Sequence, residues 1–323
     1  MKTILSIDGG GIRGLIPALV IAQIEQRTGR RAAELFDFFA GTSTGGIIAL
    51  ALNVPDQDGK PLYTAEALAD FYRQRGEQIF DRSFMKRIVS GHGWIDELYD
   101  HRPLNRILQE YFGGSLPMRA ALKPVMVSTY DLHNRKPRFL KSFNPEHYAL
   151  PMWLAARATS AAPTYFEPAD IPIESGRSVL VDGGVFVNNP AASAYAEAVR
   201  GWKNEDIFVV SIGTGSETAS YDYGAAQTWG KLEWVAPLIH LVFDGVSDAV
   251  DYQMNQMLGD RFLRLQITLQ YADADLGNAS ADNLKRLEAD AQRLIAAHNP
   301  EINRVCALLA ARQQPPPPPM PLP

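Results

Sequence analysis

The stretch that most limits what this chain can fold into is Leu35 to Leu52. An apolar run (Leu35 to Ala40) meets Gly41-Thr42-Ser43-Thr44-Gly45-Gly46 and passes at once into helix-forming Ile47 to Leu52. Apolar segments on both sides of so tight a turn describe a buried strand that hands a serine to the start of a helix, the G-x-S-x-G elbow of an α/β sheet. Ser43 is therefore the candidate nucleophile. A plainer alternative stays open, because Thr42, Ser43 or Thr44 can each serve as an ordinary helix N-cap.

The same grammar opens the chain. Thr3 to Ile7 reads as a buried strand, Asp8-Gly9-Gly10-Gly11-Ile12-Arg13-Gly14 as a turn, and Leu15 to Gln26 as a helix. Consecutive glycines allow close backbone approach, and their amides stand at a helix N-terminus, where negative charge is stabilised. Two functions fit. Gly9, Gly11 and Gly14 match the dinucleotide fingerprint G-x-G-x-x-G, with Glu34 or Asp37 near the position of a ribose-binding acid. Alternatively, the amides form an oxyanion hole. The acids near the ribose position run straight into the Ser43 turn, which weakens the nucleotide option. A phosphate-cradling P-loop is excluded, since no Lys-Ser/Thr pair closes the motif.

A third apolar run, Val179 to Val181, ends in Asp182-Gly183-Gly184, just before Asn188-Asn189-Pro190 caps a helix through Ala198. A carboxylate at a strand end beside two glycines sits where α/β sheets place catalytic groups. An Asx turn bonding its own backbone is the structural alternative for Asp182.

Between and beyond these motifs, periodicity predicts helices at Thr64 to Gln78, Pro103 to Tyr111, Met152 to Ala162 and Asn283 to Ile295, and a last helix ending at Arg312. Strands are predicted at Pro124 to Thr129, Arg138 to Lys141, Ile207 to Ile212 and Phe262 to Leu269. Ile79 to Trp94 mixes aromatic and basic residues, as a lid or an interfacial patch would, with core packing as the plainer account. Tyr221 to Val250 reads mostly as core interrupted by Pro237, or as a wall of an acyl-chain tunnel. There is no internal repeat. The proline-rich Gln313 to Pro323 is expected to be extended or disordered, leaving residues 1–312 as one folded domain.

Composition narrows the function. The balance of 31 Lys and Arg against 36 Asp and Glu gives a net charge of -5, without the basic footprint of a nucleic-acid binder. A lone Cys306 excludes a disulfide framework and a cysteine-rich metal site. No stretch reaches the roughly 18 to 20 uncharged apolar residues of a membrane span, and Met1-Lys2-Thr3 leads directly into the first strand. The expectation is a cytoplasmic protein, peripheral at the membrane.

A serine nucleophile needs a base. The histidines are His92, His101, His133, His147, His240 and His298, and only His240 and His298 follow Asp182 in the order of an α/β-hydrolase triad. His240 lies inside an apolar run and His298 at a helix break, and neither setting suits a catalytic base. The alternative is a dyad in which Asp182 meets Ser43 directly, which requires burial to raise the basicity of the carboxylate.

Taken together, Asp8 to Gly14, Gly41-Thr42-Ser43-Thr44-Gly45, the block Ala158-Thr159-Ser160-Ala161-Ala162-Pro163-Thr164-Tyr165-Phe166-Glu167-Pro168, and Asp182-Gly183-Gly184 resemble the ordered signature of patatin-like phospholipases, from about residue 4 to residue 215. The resemblance implies a three-layer α/β/α sandwich around a mostly parallel sheet, and lipid acyl hydrolysis without a metal or cofactor. It assigns Ser43 as nucleophile, Asp182 as dyad partner, and the Gly9, Gly10 and Gly11 amides with Arg13 as the oxyanion site, supported by Gly14, Gly41, Gly45, Gly183 and Gly184. Position 184 is Gly where many members have Ala. The expected substrates are phospholipids or lysophospholipids at a membrane surface. The competing functions are a nucleotide-binding protein using the glycine loop and a catalytically inactive lipid-binding module.

Overall fold

The structure is a computed structural model that describes residues 1–79, 86–89, 95–98, 100–173, 176–217, 222–230 and 233–312. Apart from Ile79 and the backbone of residues 86–89, the stretch Ile79 to Trp94 read above as a lid or patch lies outside the described residues, as does the tail from Gln313.

In chain order, β1 (Lys2–Ile7), α1 (Leu15–Thr28), α2 (Ala32–Leu35), β2 (Phe38–Thr42) and α3 (Thr44–Ala51) form the opening alternation of strand and helix. β1 is buried from Thr3 onward, as a strand covered on both faces must be. Then come α4 (Ala65–Ile79), the antiparallel pair β3 (Lys86–Val89) and β4 (Ile95–Leu98), α5 (His101–Phe112), β5 (Val125–Asp131), β6 (Lys136–Lys141) and α6 (Met152–Thr159). The remaining elements are β7 (Ala169–Ile173), β8 (Gly176–Asp182), α7 (Ala191–Gly201), β9 (Ile207–Ile212), α8 (Tyr223–Ala226), α9 (Val235–Leu258), β10 (Phe262–Leu265), α10 (Ala281–Ala297) and α11 (Asn299–Ala310).

The main sheet has the order β10-β9-β1-β2-β5-β8-β7, with β6 also on β5. β10, β9, β1, β2 and β5 are parallel, β6 and β8 each pair antiparallel with β5, and β7 pairs antiparallel with β8. Alternation along the strands divides the apolar residues between two cores. Leu5, Ile7, Phe39, Val127 and Val210 pack with α1, α3 to α6, α10 and α11, whereas Ile4, Phe38, Ala40, Met126 and Val209 pack with α7 and the C-terminal half of α9. Helices on both faces of one mostly parallel sheet make the expected α/β/α sandwich.

Several elements differ from the periodicity reading, among them β10, which ends at Leu265 and not at Leu269. α6 stops at Thr159 because Ala161 turns its carbonyl to the Asp182 N–H, 3.0 Å away, and so joins the end of β8. β7 was not visible as a strand: it is five residues long, contains Pro172 and sits at the sheet edge, the one place a strand tolerates proline. The dense run after Tyr221 contains a 24-residue helix, α9, whose Pro237 stands in the first turn, where a missing N–H breaks no helical bond.

Candidate active site

Ser43 is the residue between β2 and α3, with φ 55 and ψ −126, a conformation that side-chain-bearing residues rarely adopt. Two glycines make the elbow possible. A Cβ on Gly41 would lie 2.2 Å from the Gly45 carbonyl oxygen, and one on Gly45 would lie 2.2 Å from that of Ile7. The Ser43 side chain makes no capping bond to α3, so the N-cap alternative fails for this residue. Its N–H donates to Thr159 Oγ1 (2.9 Å), and that hydroxyl donates to the Ser128 carbonyl (2.8 Å), which ties the elbow to β5 and α6.

Sheet register brings Asp182 to the same place. Along one side of β5, β2 pairs as far as Thr42 opposite Ser128, and β8 takes over with Asp182 opposite Thr129. β8 runs antiparallel, so the C-terminal ends of β2 and β8 meet head to head. Gly183 permits the junction, since a Cβ there would stand 2.2 Å from Ser128 Oγ. Asp182 is fully buried, and its Oδ1 accepts from the Gly184 N–H at 2.8 Å. The Asx-turn reading thus holds for one oxygen, while Oδ2 has no hydrogen bond of ordinary geometry. Burial pushes the carboxyl up to about 7, opposed by the Ser43 hydroxyl beside it and by the Gly184 N–H. A carboxylate of near-neutral pKa is a far better proton acceptor than an exposed one. Gly184 is packed against α9: a Cβ there would come 2.6 Å from the Phe243 ring, so alanine at this position needs that ring displaced.

The glycine loop crosses in front of the serine, where a Cβ on Gly9 would lie 3.2 Å from Ser43 Cβ. Its carbonyl accepts from Thr214 Oγ1 (2.8 Å) and Asn188 Nδ2 (3.4 Å), and its N–H donates to the Asn188 carbonyl (3.2 Å). The Gly10 and Gly11 N–H groups have no acceptor among the described residues. Of the three predicted oxyanion amides, Gly9 is therefore engaged and two are free. Protein already fills the space beside each glycine: Thr214 at Gly10, the Leu276 carbonyl at Gly11 (φ +56) and Thr44 Oγ1 at Gly14. The space at Gly11, where the second glycine of the dinucleotide fingerprint admits the pyrophosphate, is thus taken by the Leu276 backbone. Arg13 is buried with its Nε unpartnered, and burial lowers its pKa against the pull of Asp244, Glu217, Tyr165 and Asp275. Its guanidinium is thus set among acids of α9 and the loops beside it.

Several supports of the site have partners that no local motif announces. Asp8, at the head of the glycine loop, is gripped by both Arg264 nitrogens (3.0 and 2.6 Å), and Arg264 also donates to Ser211 Oγ (2.8 Å). Thr159, Asn188 and Thr214 belong with them. Thr159 stands in the Ala158 to Pro168 block, Asn188 in the Asn188-Asn189-Pro190 turn and Thr214 between two glycines at the end of a buried strand, but none of these settings names its partner.

A narrow cleft of about 40 Å³ opens at Ser43, walled by Ile47, Phe71, Tyr72, Leu104, Phe166 and Phe243. Phe243 makes the N-terminal part of α9 a wall of this space, as the tunnel alternative had it. No described histidine side chain lines the cleft. His147 is buried, accepts the Lys141 N–H at 3.1 Å and is held down to about 4 by burial, and His298 sits at the junction of α10 and α11. The His240 side chain lies outside the described residues.

Fold and site together define an α/β protein with a serine on a strained elbow, a buried carboxylate at a converging strand end and free loop amides beside an apolar cleft. Residues 5–195 match the family model for patatin-like phospholipase, and the chain belongs to that family. It is 31% identical to patatin-like protein 2 of Arabidopsis thaliana, over 94% of this chain and 85% of that one. It is 28% identical to patatin group M-3 of Solanum tuberosum over 97% and 91% of the respective chains. Another relative, 32% identical over 80% of this chain and 71% of its own, is named probable inactive patatin-like protein 9 of Arabidopsis thaliana. Membership supports lipid acyl hydrolysis as the general activity. No helix among the described residues is long and apolar enough to cross a membrane.

Proposed function

We propose that the chain is a serine acyl hydrolase that cleaves carboxylic esters of phospholipids or lysophospholipids through Ser43 and Asp182. The observation that carries this reading is the buried carboxylate oxygen Oδ2 of Asp182, left without an ordinary hydrogen bond beside the Ser43 hydroxyl. Ser43 Oγ attacks the ester carbonyl carbon while its proton passes to Asp182. The tetrahedral oxyanion is held by the Gly10 and Gly11 N–H groups. Collapse breaks the bond to the alcohol, which leaves with the proton from Asp182. Water then attacks the acyl-enzyme, with Asp182 taking one of its protons, and the fatty acid departs with Ser43 restored. The apolar walls of the cleft suit the acyl chain, and a lipid substrate brings the protein to a membrane surface.

The test is a total lipid extract, dispersed in mixed micelles and incubated with the full chain, followed by mass spectrometry. Free fatty acids and lysophospholipids are expected to accumulate. An unchanged lipid profile refutes the reading, and vesicle binding without any product favours the inactive lipid-binding module.

The base assignment has its own signature. Asp182 must be ionised to accept the proton, so kcat/KM for a soluble acyl ester is expected to rise with pH through an apparent pKa of about 7 and to level off above it. A profile rising near pH 4 would mean that the catalytic base is an ordinary exposed carboxylate and not Asp182.

A further inference from the structure

A second, far smaller apolar void, of about 10 Å³, lies against the Ser43 cleft. Ile47, Phe71 and Tyr72 line both spaces, and beyond them the second cavity is bounded by Leu68, Leu108 and Phe112 of α4 and α5. We propose that Ile47, Phe71 and Tyr72 form the end stop of the acyl site, closing the Ser43 cleft against the packing gap between α3, α4 and α5 and so setting the length of acyl chain that is accepted. This rests on the hydrolase reading only for its direction, with the chain entering from Ser43.

The path follows from helix geometry. Ser43, Ile47 and Ala51 succeed one another at four-residue spacing, one stripe of α3 running away from the elbow, and Ala51 already borders the second cavity. The partition is braced. The Tyr72 hydroxyl is hydrogen-bonded to Thr44 Oγ1. The Phe71 ring meets Tyr72 edge-on at 5.2 Å between centroids and Tyr111 at 4.7 Å. Ile47 is held by its own helix, its N–H donating to the Ser43 carbonyl at 3.1 Å. A void this small is a packing gap and not a ligand space, so an acyl chain is stopped at the partition and gains room beyond it only when one of these side chains is cut back. Removing a side chain from the partition joins the two spaces without touching Ser43, Asp182 or the glycine loop.

The test is displacement of a fluorescent fatty acid from the full chain by saturated fatty acids of increasing length, which reads binding independently of turnover. For wild type, affinity is expected to rise about fourfold per methylene while the chain is entering apolar space, and then to level off at the stop. In Ile47→Ala and Phe71→Ala the plateau is expected to move to chains at least two methylenes longer, and adding Ala51→Met to Phe71→Ala should shorten it again. Wild type that binds no fatty acid, or a plateau that stays in place in either folded opened variant, overturns the proposal. Ile47→Ala removes no ring, so it decides the matter should Phe71→Ala not fold. A plateau that moves in a protein releasing no fatty acid from lipid supports the end stop and overturns only the hydrolase reading.

Discussion

Ser43→Ala is expected to abolish acyl-ester hydrolysis, by at least about 10⁴-fold in kcat, in a protein that keeps its fold. Removing the nucleophile of a serine hydrolase leaves only the contribution of the oxyanion donors and binding, and nucleophile and base act as one unit. Asp182→Asn should therefore lose a similar factor, and the double variant little more than either single one. Neither loss would come from unfolding. Alanine at position 43 inherits the strained φ of 55 but no worse, and Ser43→Gly should relieve it by a few tenths to 1 kcal/mol. For Asp182 the linkage runs against the wild type. Burial holds its carboxyl at about 7 instead of 3.8, so the folded state binds more protons than the unfolded one across that interval. Stability from this group is present at low pH and falls as pH climbs toward 7. Asparagine is neutral at every pH, and the variant should resist urea at pH 8 at least as well as wild type. His240→Ala and His298→Ala should leave turnover largely intact. If either histidine variant lost activity as completely as Ser43→Ala, the dyad would give way to a triad.

Arg264→Met is expected to lower the stability by about 3–5 kcal/mol, read as the shift of the urea midpoint, because it strands the buried Asp8 carboxylate without its partner. Asp8 is about as buried as a residue can be, and burial already raises its pKa against the pull of Arg264. With the guanidinium gone, the folded pKa rises further above the unfolded one, so stability is regained as the pH is lowered and Asp8 takes up a proton. The deficit should be smaller at pH 5 than at pH 8. The double variant Asp8→Asn/Arg264→Met should recover much of the loss at pH 8, since two neutral groups replace one orphaned charge. A pH-independent deficit, or a double variant as unstable as Arg264→Met, would show that the ion pair is not the source. Because Asp8 heads the glycine loop, activity should fall in the single variant at pH values where it remains folded.

Much of this site is legible along the chain because its pieces are local. Ser43, Asp182 and Gly9 to Gly11 each stand where a short apolar run ends in glycine. The period-two burial of a strand and the conformations open only to glycine act over a handful of residues. Gly41 belongs to the same local logic, since the backbone that excludes a side chain there is that of Gly45 four residues on, whereas Gly45 is kept bare by Ile7 of the neighbouring strand. The helix periods of α1, α4, α5 and α10 were readable for the same reason.

The partnerships were not readable, because they depend on strand order and register. That Asp182 faces Ser43 follows from β8 taking the edge of β5 just where β2 leaves it. Arg264 reaches Asp8 only because β10 closes the same sheet, 256 residues further along the chain. Thr214 and Asn188 close over Gly9 from the ends of β9 and β8, and that choice leaves the Gly10 and Gly11 amides free while engaging that of Gly9. The continuation of α9 past Pro237 depended on where its first turn began. Residue types and spacing therefore settled which groups stand at the tips of the strands. Which of those tips converge, and which polar groups are left unpartnered when they do, was settled by long-range pairing of the sheet, for which no residue carries a local signal.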